Sequence, residues 1–309
     1  MQTIIINKND QGQRLDSFIK KTYPKISLSL LYRYIRTKRI KVNGKKCELN
    51  YRLNLNDKIE SYINDELLTK KTMKTDFLLA PNKINIIYED SNILIVNKPI
   101  GLVVHEDESN NADNLSNRIQ HYLVDKGEWD YKNENSFVPS LVHRLDRNTS
   151  GLVLAAKNAE SLRILSKKIK DREIDKYYLC QVYGIIDPKQ GVLRDYLTRN
   201  TKSKIVTVSK KPISTSSEQI ITEYRTISHV KNISTLEIKL ITGKTHQIRA
   251  HMAFIGHPLV GEKKYTTSSF SKLNVSKFQS LVAYKLVFNF KTDAGILNYL
   301  KNKKISIEN

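Results

Sequence analysis

Cysteine is scarce in this 309-residue chain. Cys47 and Cys180 stand apart without CxxC spacing, which leaves a disulfide framework and a zinc ribbon unsupported and fits a reducing compartment. No run of about 18 apolar residues occurs. The opening MQTIIINKND has too short an apolar stretch for a signal peptide and turns charged at Lys8 and Asp10, so a soluble, cytoplasmic protein is expected. Trp129 is the single tryptophan, and no basic amphipathic helix with a Trp-rich face is present to insert at a lipid surface. Acid is short of base: 31 Asp plus Glu stand against 52 Lys plus Arg, a net charge of +21. That excess points to a polyanionic partner, and with no membrane signal the polyanion is nucleic acid. A Gly-rich phosphate loop is also lacking, so no nucleotide cofactor is implied.

What is there is enough for two domains, with 39% of the residues apolar. Residues 1–63 read as a small unit, 64–83 as a linker and 84–309 as the larger domain. In the small unit Leu15, Phe18 and Ile19 keep helical spacing, and Leu28, Leu31, Tyr32 and Ile35 repeat it behind a Ser27 N-cap. The opposite face of the second helix carries Arg33 and Arg36, and Lys38 and Arg39 continue the charge past its end. Ile40-Lys41-Val42 then runs into Asn43-Gly44, a two-residue turn signal that predicts a hairpin returning through Lys45 to Cys47. The linker has only Phe77, Leu78 and Leu79 to bury and is expected to dock loosely.

The larger domain shows an apolar strand at 93–96 that enters a tight turn at Lys98-Pro99-Ile100-Gly101. Further strands are predicted over 151–156, 178–183, 220–226, 235–241 and 281–290, and a helix bears Leu162, Leu165 and Ile169. Strands and helices mix without regular βαβ alternation. The expected class is α+β, with a mixed, largely antiparallel sheet.

Two polar stretches are dense in groups that are costly to order and bring no packing gain: VHRLDRNTSG at 142–151 and TGKTHQIRAH at 242–251. The first sets Asp146 between Arg144 and Arg147; its carboxylate is either an active group or the acceptor of an Asx-turn. His246, His251 and His257 invite a metal reading, but their spacing is not HExxH and no cysteine or helical carboxylate completes a set, so no metal is expected.

GQRLDSFIKK, SLSLLYRYIRTKRIKVNGKK and YRLNLNDKIE resemble the S4 RNA-binding module. HRLDRNTSGLVLAAKN resembles the signature of the RluA family of pseudouridine synthases, matched at His143, Arg144, Leu145, Asp146, Thr149, Ser150 and Gly151. LITGKTHQIRAHMAFIGHPLVGEKKY is similar to a later motif of that family, and 97–105 to its KPxGxxVH element. The chain departs from the family pattern at Lys244, usually arginine, at Glu262, usually aspartate, and at Val282, where a histidine is common.

The resemblance implies isomerisation of uridine within RNA, without metal, nucleotide or redox cofactor. The bond from C1′ to N1 breaks, uracil turns, and C5 joins C1′. Asp146 would be the catalytic carboxylate, either as nucleophile at C1′ or as base at C2′. Arg249 would pair with it, Arg144 would enter the stack vacated by the base or hold a phosphate, and Tyr178 would stack on the flipped uracil and help remove its C5 proton, with Tyr177 as rival. Leu281 would line the pocket, while Lys244, His246, Arg33, Arg36, Lys38 and Arg39 would contact RNA. The implied partner is structured RNA, namely large-subunit (23S) ribosomal RNA or its precursor, modified at more than one uridine by a monomeric enzyme. A single helix of that RNA, a transfer RNA, and a non-catalytic RNA-binding or assembly role stay open as alternatives.

Overall fold

Among the described residues two sheets organise the chain, one of three strands near its start and one of eleven in the larger unit. The computed structural model describes residues 1–64, 66–69, 75–106, 111–200, 203–266, 270 and 276–307. Helices α1 (Leu15–Thr22) and α2 (Leu28–Arg36) bury Leu15, Phe18 and Ile19, and Leu31 and Ile35, respectively. The Ser27 hydroxyl caps α2 by accepting from Leu30 N at 3.3 Å. Leu28 and Tyr32, expected on the apolar stripe, are exposed like Arg33 and Arg36, because the stripe that packs narrows to Leu31 and Ile35. Strands β1 (Gln2–Ile5), β2 (Ile40–Val42) and β3 (Lys58–Ser61) pair antiparallel in the order β1-β3-β2.

Asn43 and Gly44 adopt φ of 52° and 73°, the left-handed pair that a two-residue turn demands. The return strand differs from expectation. Val42 and Lys45 exchange main-chain bonds of 3.1 and 3.0 Å, but Asn43 N then donates to Lys58 O and Asn43 Oδ1 accepts from Lys58 N. The ladder therefore continues onto β3, and 46–48 carry no strand. Within 64–83, Leu68 joins the core of the first unit, and the Phe77 ring packs 5.4 Å from Trp129 and edge-on to Tyr131 at 5.3 Å. Residues 65 and 70–74 of that stretch lie outside the described residues.

The larger sheet contains β4 (Ile86–Glu89), β5 (Ile93–Lys98), β6 (Ser140–Leu141), β7 (Ser150–Ala156), β8 (Ile174–Tyr183), β9 (Gln190–Arg199), β10 (Val206–Ser209), β11 (Glu218–Val230), β12 (Ile233–Leu240), β13 (Leu281–Phe288) and β14 (Lys304–Ser306). Its order is β10-β9-β11-β12-β8-β13-β7-β5-β4, with β14 on β13 and β6 on β7. Every pairing is antiparallel except β7 with β13, so the sheet is mixed as expected. Alternation sends Leu94, Val96, Val153, Tyr178 and Leu281 to a core covered by α3 (Leu115–Asp125). Ile93, Ile95, Leu152, Leu154 and Phe288 face a second core under α4 (Ala159–Lys170). No helix among the described residues is long and apolar enough to cross a membrane.

The parallel crossing holds the loop before β7 in place. Gly151 has φ of 115°, and a Cβ there would lie 2.2 Å from Ala283 O, so only glycine lets β7 start against β13. A polar seam joins the small unit to the large one. Asp10, fully buried, accepts from Asn135 Nδ2 at 2.8 Å and Ser136 Oγ at 2.6 Å, and Asn9 Oδ1 accepts from Ala159 N, at the start of α4, at 3.1 Å.

Candidate active site

The loop between β6 and β7 carries Asp146. Its turn is closed through the main chain, Thr149 N donating to Asp146 O at 3.1 Å, while the carboxylate reaches across the sheet end to another element. That element is α5 (Gln247–Phe254), formed by the second polar stretch. Arg249 Nη1 donates to Asp146 Oδ2 at 3.0 Å. The rest of the guanidinium is held by Glu262, with Nε to Oε2 at 2.7 Å and Nη2 to Oε1 at 2.8 Å. This two-bond fork fixes the plane of the guanidinium. Burial works against the Arg249 cation, but the bonds to Glu262 and the charges of Glu262 and Asp146 raise its pKa above the usual value. Glu262 stays well ionised despite burial because Arg249 offsets it. At this departure from the family pattern, the longer acid makes a complete bidentate pair.

Asp146 and Arg249 border a cavity of about 280 Å³ that also takes in Arg144, Tyr178, Lys244, His246 and Leu281. Tyr178 lies on β8 with 5% of its surface exposed, and burial, seconded by the negative charge of Asp146, drives its hydroxyl pKa upward. It stays a phenol. Tyr177 points to the other face, where Lys285 Nζ lies 4.1 Å from its ring centroid. Leu281 on β13 is 5% exposed and pairs with Cys180. Arg144 is exposed at the rim.

His246 precedes α5 with φ of 55°, an unusual conformation for a residue with a side chain. Its Nδ1 is 2.6 Å from Tyr265 Oη and its Nε2 3.8 Å from Asp146 Oδ2. Burial lowers its basicity against the pull of Asp146. The half-exposed Lys244 ammonium pairs with the carboxylate of the exposed Glu218. Arg33, Arg36, Lys38 and Arg39 are exposed on the small unit and do not line this cavity. The three histidines do not gather: His251 is bound to Thr222 and Asp195, and His257 Nδ1 is 2.9 Å from Tyr183 O.

Two lysines escaped the sequence reading. Lys98 is fully buried, and its ammonium donates to Pro99 O at 2.9 Å, Leu102 O at 2.7 Å and Arg147 O at 3.1 Å. It clips the Asp146 loop to the turn after β5, and burial brings its pKa down to about 8 against the favourable charge of Asp146. Lys176, on the cavity wall, is likewise made less basic by burial. The lysines of KPIG and DKYYL were visible as parts of motifs, but nothing in those strings marked them as buried. His143 is pushed down to about 3 by burial and then by Lys176, and its Nε2 accepts from Leu154 N at 3.1 Å.

A family model described as RNA pseudouridylate synthase matches residues 92–254, and one described as S4 domain matches 13–59. The chain is 38% identical to a protein named "uncharacterized RNA pseudouridine synthase" of Mycoplasma capricolum subsp. capricolum, over 99% of this chain and 97% of that one. It is 33% identical to ribosomal large subunit pseudouridine synthase D of Yersinia pestis, over 84% and 75%. It is 31% identical to ribosomal large subunit pseudouridine synthase C of Buchnera aphidicola subsp. Baizongia pistaciae, over 88% and 83%. Among solved structures, human RNA pseudouridylate synthase domain containing 1 shares the fold at a TM-score of 0.57 and 20% identity, covering 74% of this chain and 84% of that chain.

Proposed function

The chain belongs to the RluA family of RNA pseudouridine synthases with an S4 module, and on that premise we propose that its substrate is large-subunit (23S) ribosomal RNA, modified at more than one uridine by a monomer. Two relatives named for the ribosomal large subunit, synthases C and D, support that target. The observation that carries the catalytic assignment is the solitary Asp146. Among the described residues lining the cavity it is the one carboxylate, and both oxygens of Glu262 are engaged by Arg249. Hydrolysis of a glycosidic bond needs a second carboxyl group to protonate the leaving group or activate water. Isomerisation does not, because uracil departs as a stabilised anion and is kept.

In this reading Asp146, held by Arg249, attacks C1′ or takes the proton from C2′. Extruding the base costs a few kcal/mol, which Arg144 offsets by occupying the vacated stack. Tyr178, with its raised pKa, lies against the flipped uracil as a stacking ring and hydrogen-bond donor, and proton removal from C5 falls to another group. The exposed Arg33, Arg36, Lys38 and Arg39 hold structured RNA through its phosphates.

Pseudouridine mapping of all stable RNAs from cells with and without the gene tests the target. Loss of two or more pseudouridines from separate helices of 23S RNA supports the proposal. Loss confined to a single helix favours a synthase D-like target, and loss from transfer RNA alone rejects a ribosomal one.

A further inference from the structure

The second face of α5 is tied to a buried polar chain that the reaction does not use. Gln247 and His251 are four residues apart and share that face; Arg249 lies about 200° round the helix from either. Gln247 Oε1 accepts from Thr242 Oγ1 at 2.9 Å and from Lys244 N at 3.1 Å, and Lys244 and Gln247 both line the cavity. Its Nε2 donates to Ile221 O at 3.1 Å and to Thr222 Oγ1 at 3.0 Å. The Thr222 hydroxyl therefore has its proton free for His251 Nδ1, 2.9 Å away. With Nδ1 accepting, the ring proton sits on Nε2 and is donated to Asp195 Oδ2 at 3.0 Å. Lys210 Nζ ends the chain, donating to Asp195 Oδ2 at 3.2 Å and lying 2.9 Å from Oδ1, which accepts no hydrogen bond among the described residues.

Thr222, His251 and Asp195 are each fully buried. The order hydroxyl, imidazole, carboxylate is that of a hydrolytic triad, but no substrate can reach a buried hydroxyl that already accepts a bond. The chain has one direction: every donor has an acceptor, and the polarity runs from the cavity wall to Asp195. Such a network rigidifies when complete and is costly when a member is lost.

We propose that Thr222, His251 and Asp195 are positioning residues for the isomerisation: they clamp the inner face of α5, so that its outer face keeps Arg249 on Asp146. The proposal rests on the assignment of Asp146 and Arg249 made above. Thr222→Val keeps the shape and removes the hydroxyl; Thr222→Ser restores it. The expected result, in single turnover with a 23S RNA fragment that the wild type modifies, is a rate at least tenfold lower for Thr222→Val. RNA Kd should stay within twofold of the wild type, and Thr222→Ser within threefold of its rate. A Thr222→Val rate within threefold of wild type, or equal losses in both variants, overturns the proposal. Absence of turnover in the wild type would instead remove the functional reading itself. Should Thr222→Val not fold, two-bond ¹H–¹⁵N spectra of the wild-type full chain at pH 7 decide: neutral His251 protonated on Nε2 is required, and the cation or the Nδ1–H form overturns it.

Discussion

Arg249 and Asp146 lie 103 residues apart in the chain, and their side chains meet at 3.0 Å with Glu262 gripping the guanidinium from behind. The guanidinium makes three directed bonds in one plane, which a lysine cannot reproduce. Arg249→Lys should lower kcat about 10²-fold through misplacement of the carboxylate, with RNA Kd nearly unchanged. Arg249→Met should also cost about 3–5 kcal/mol of stability, because Glu262 is left charged and buried. Chemical denaturation beside single-turnover assays separates the two effects; full activity of the lysine variant would break the assignment.

Stability on the acid side should carry the mark of His143, whose pKa falls from 6.5 to about 3 on folding. Between these values the unfolded chain binds the proton and the folded one does not, so stability rises with pH across that window. The contribution is fully present above pH 6.5 and is lost as the pH falls towards 3. His143→Gln, which keeps an acceptor for Leu154 N, should flatten melting temperature against pH in that window. An unchanged slope would mean that the imidazole is not buried neutral.

The exposed arginines of α2 predict a change in salt dependence. Arg33→Gln with Arg36→Gln removes two phosphate partners, and the slope of log K against log salt should become shallower by about 1 to 2. Fluorescence anisotropy with a structured RNA fragment over a salt series reads this directly, and an unaltered slope would take that face out of the interface.

At the parallel crossing, Gly151→Ala would place Cβ 2.2 Å from Ala283 O. Strain of that kind should destabilise the fold by about 3 kcal/mol and displace the Asp146 loop. A variant that melts and turns over like wild type would contradict the close approach.

The fold was legible where periodicity was strong. The stripes of α1, α2 and α4 and the apolar runs of β5, β7 and β13 could be read from the chain. Strand β9 could not, because it buries only Asp195 and Leu197 and offers no alternating apolar pattern. Helix α3 has its signal in Leu115, Ile119 and Leu123, spaced four apart, but that stripe is a single row among polar residues and is weak as a local pattern. At the site, the residues chosen by motif, Asp146, Arg144, Tyr178, Arg249, His246 and Leu281, border one cavity. Lys98 was invisible because its burial depends on three carbonyls, one of them contributed by Arg147 on the catalytic loop. The pairing of Lys244 with Glu218 spans two elements and is equally beyond local pattern.

The most direct test replaces one atom of the Asp146 carboxylate. Asp146→Asn keeps the size of the side chain and can still meet its neighbours, but it can neither attack C1′ nor take a proton from C2′. Purified variant and wild type, incubated with the same ribosomal RNA fragment, should bind it with Kd values within about threefold, roughly 0.65 kcal/mol, and only the wild type should yield pseudouridine by mass spectrometry. Pseudouridine formed by the Asp146→Asn protein would contradict the account.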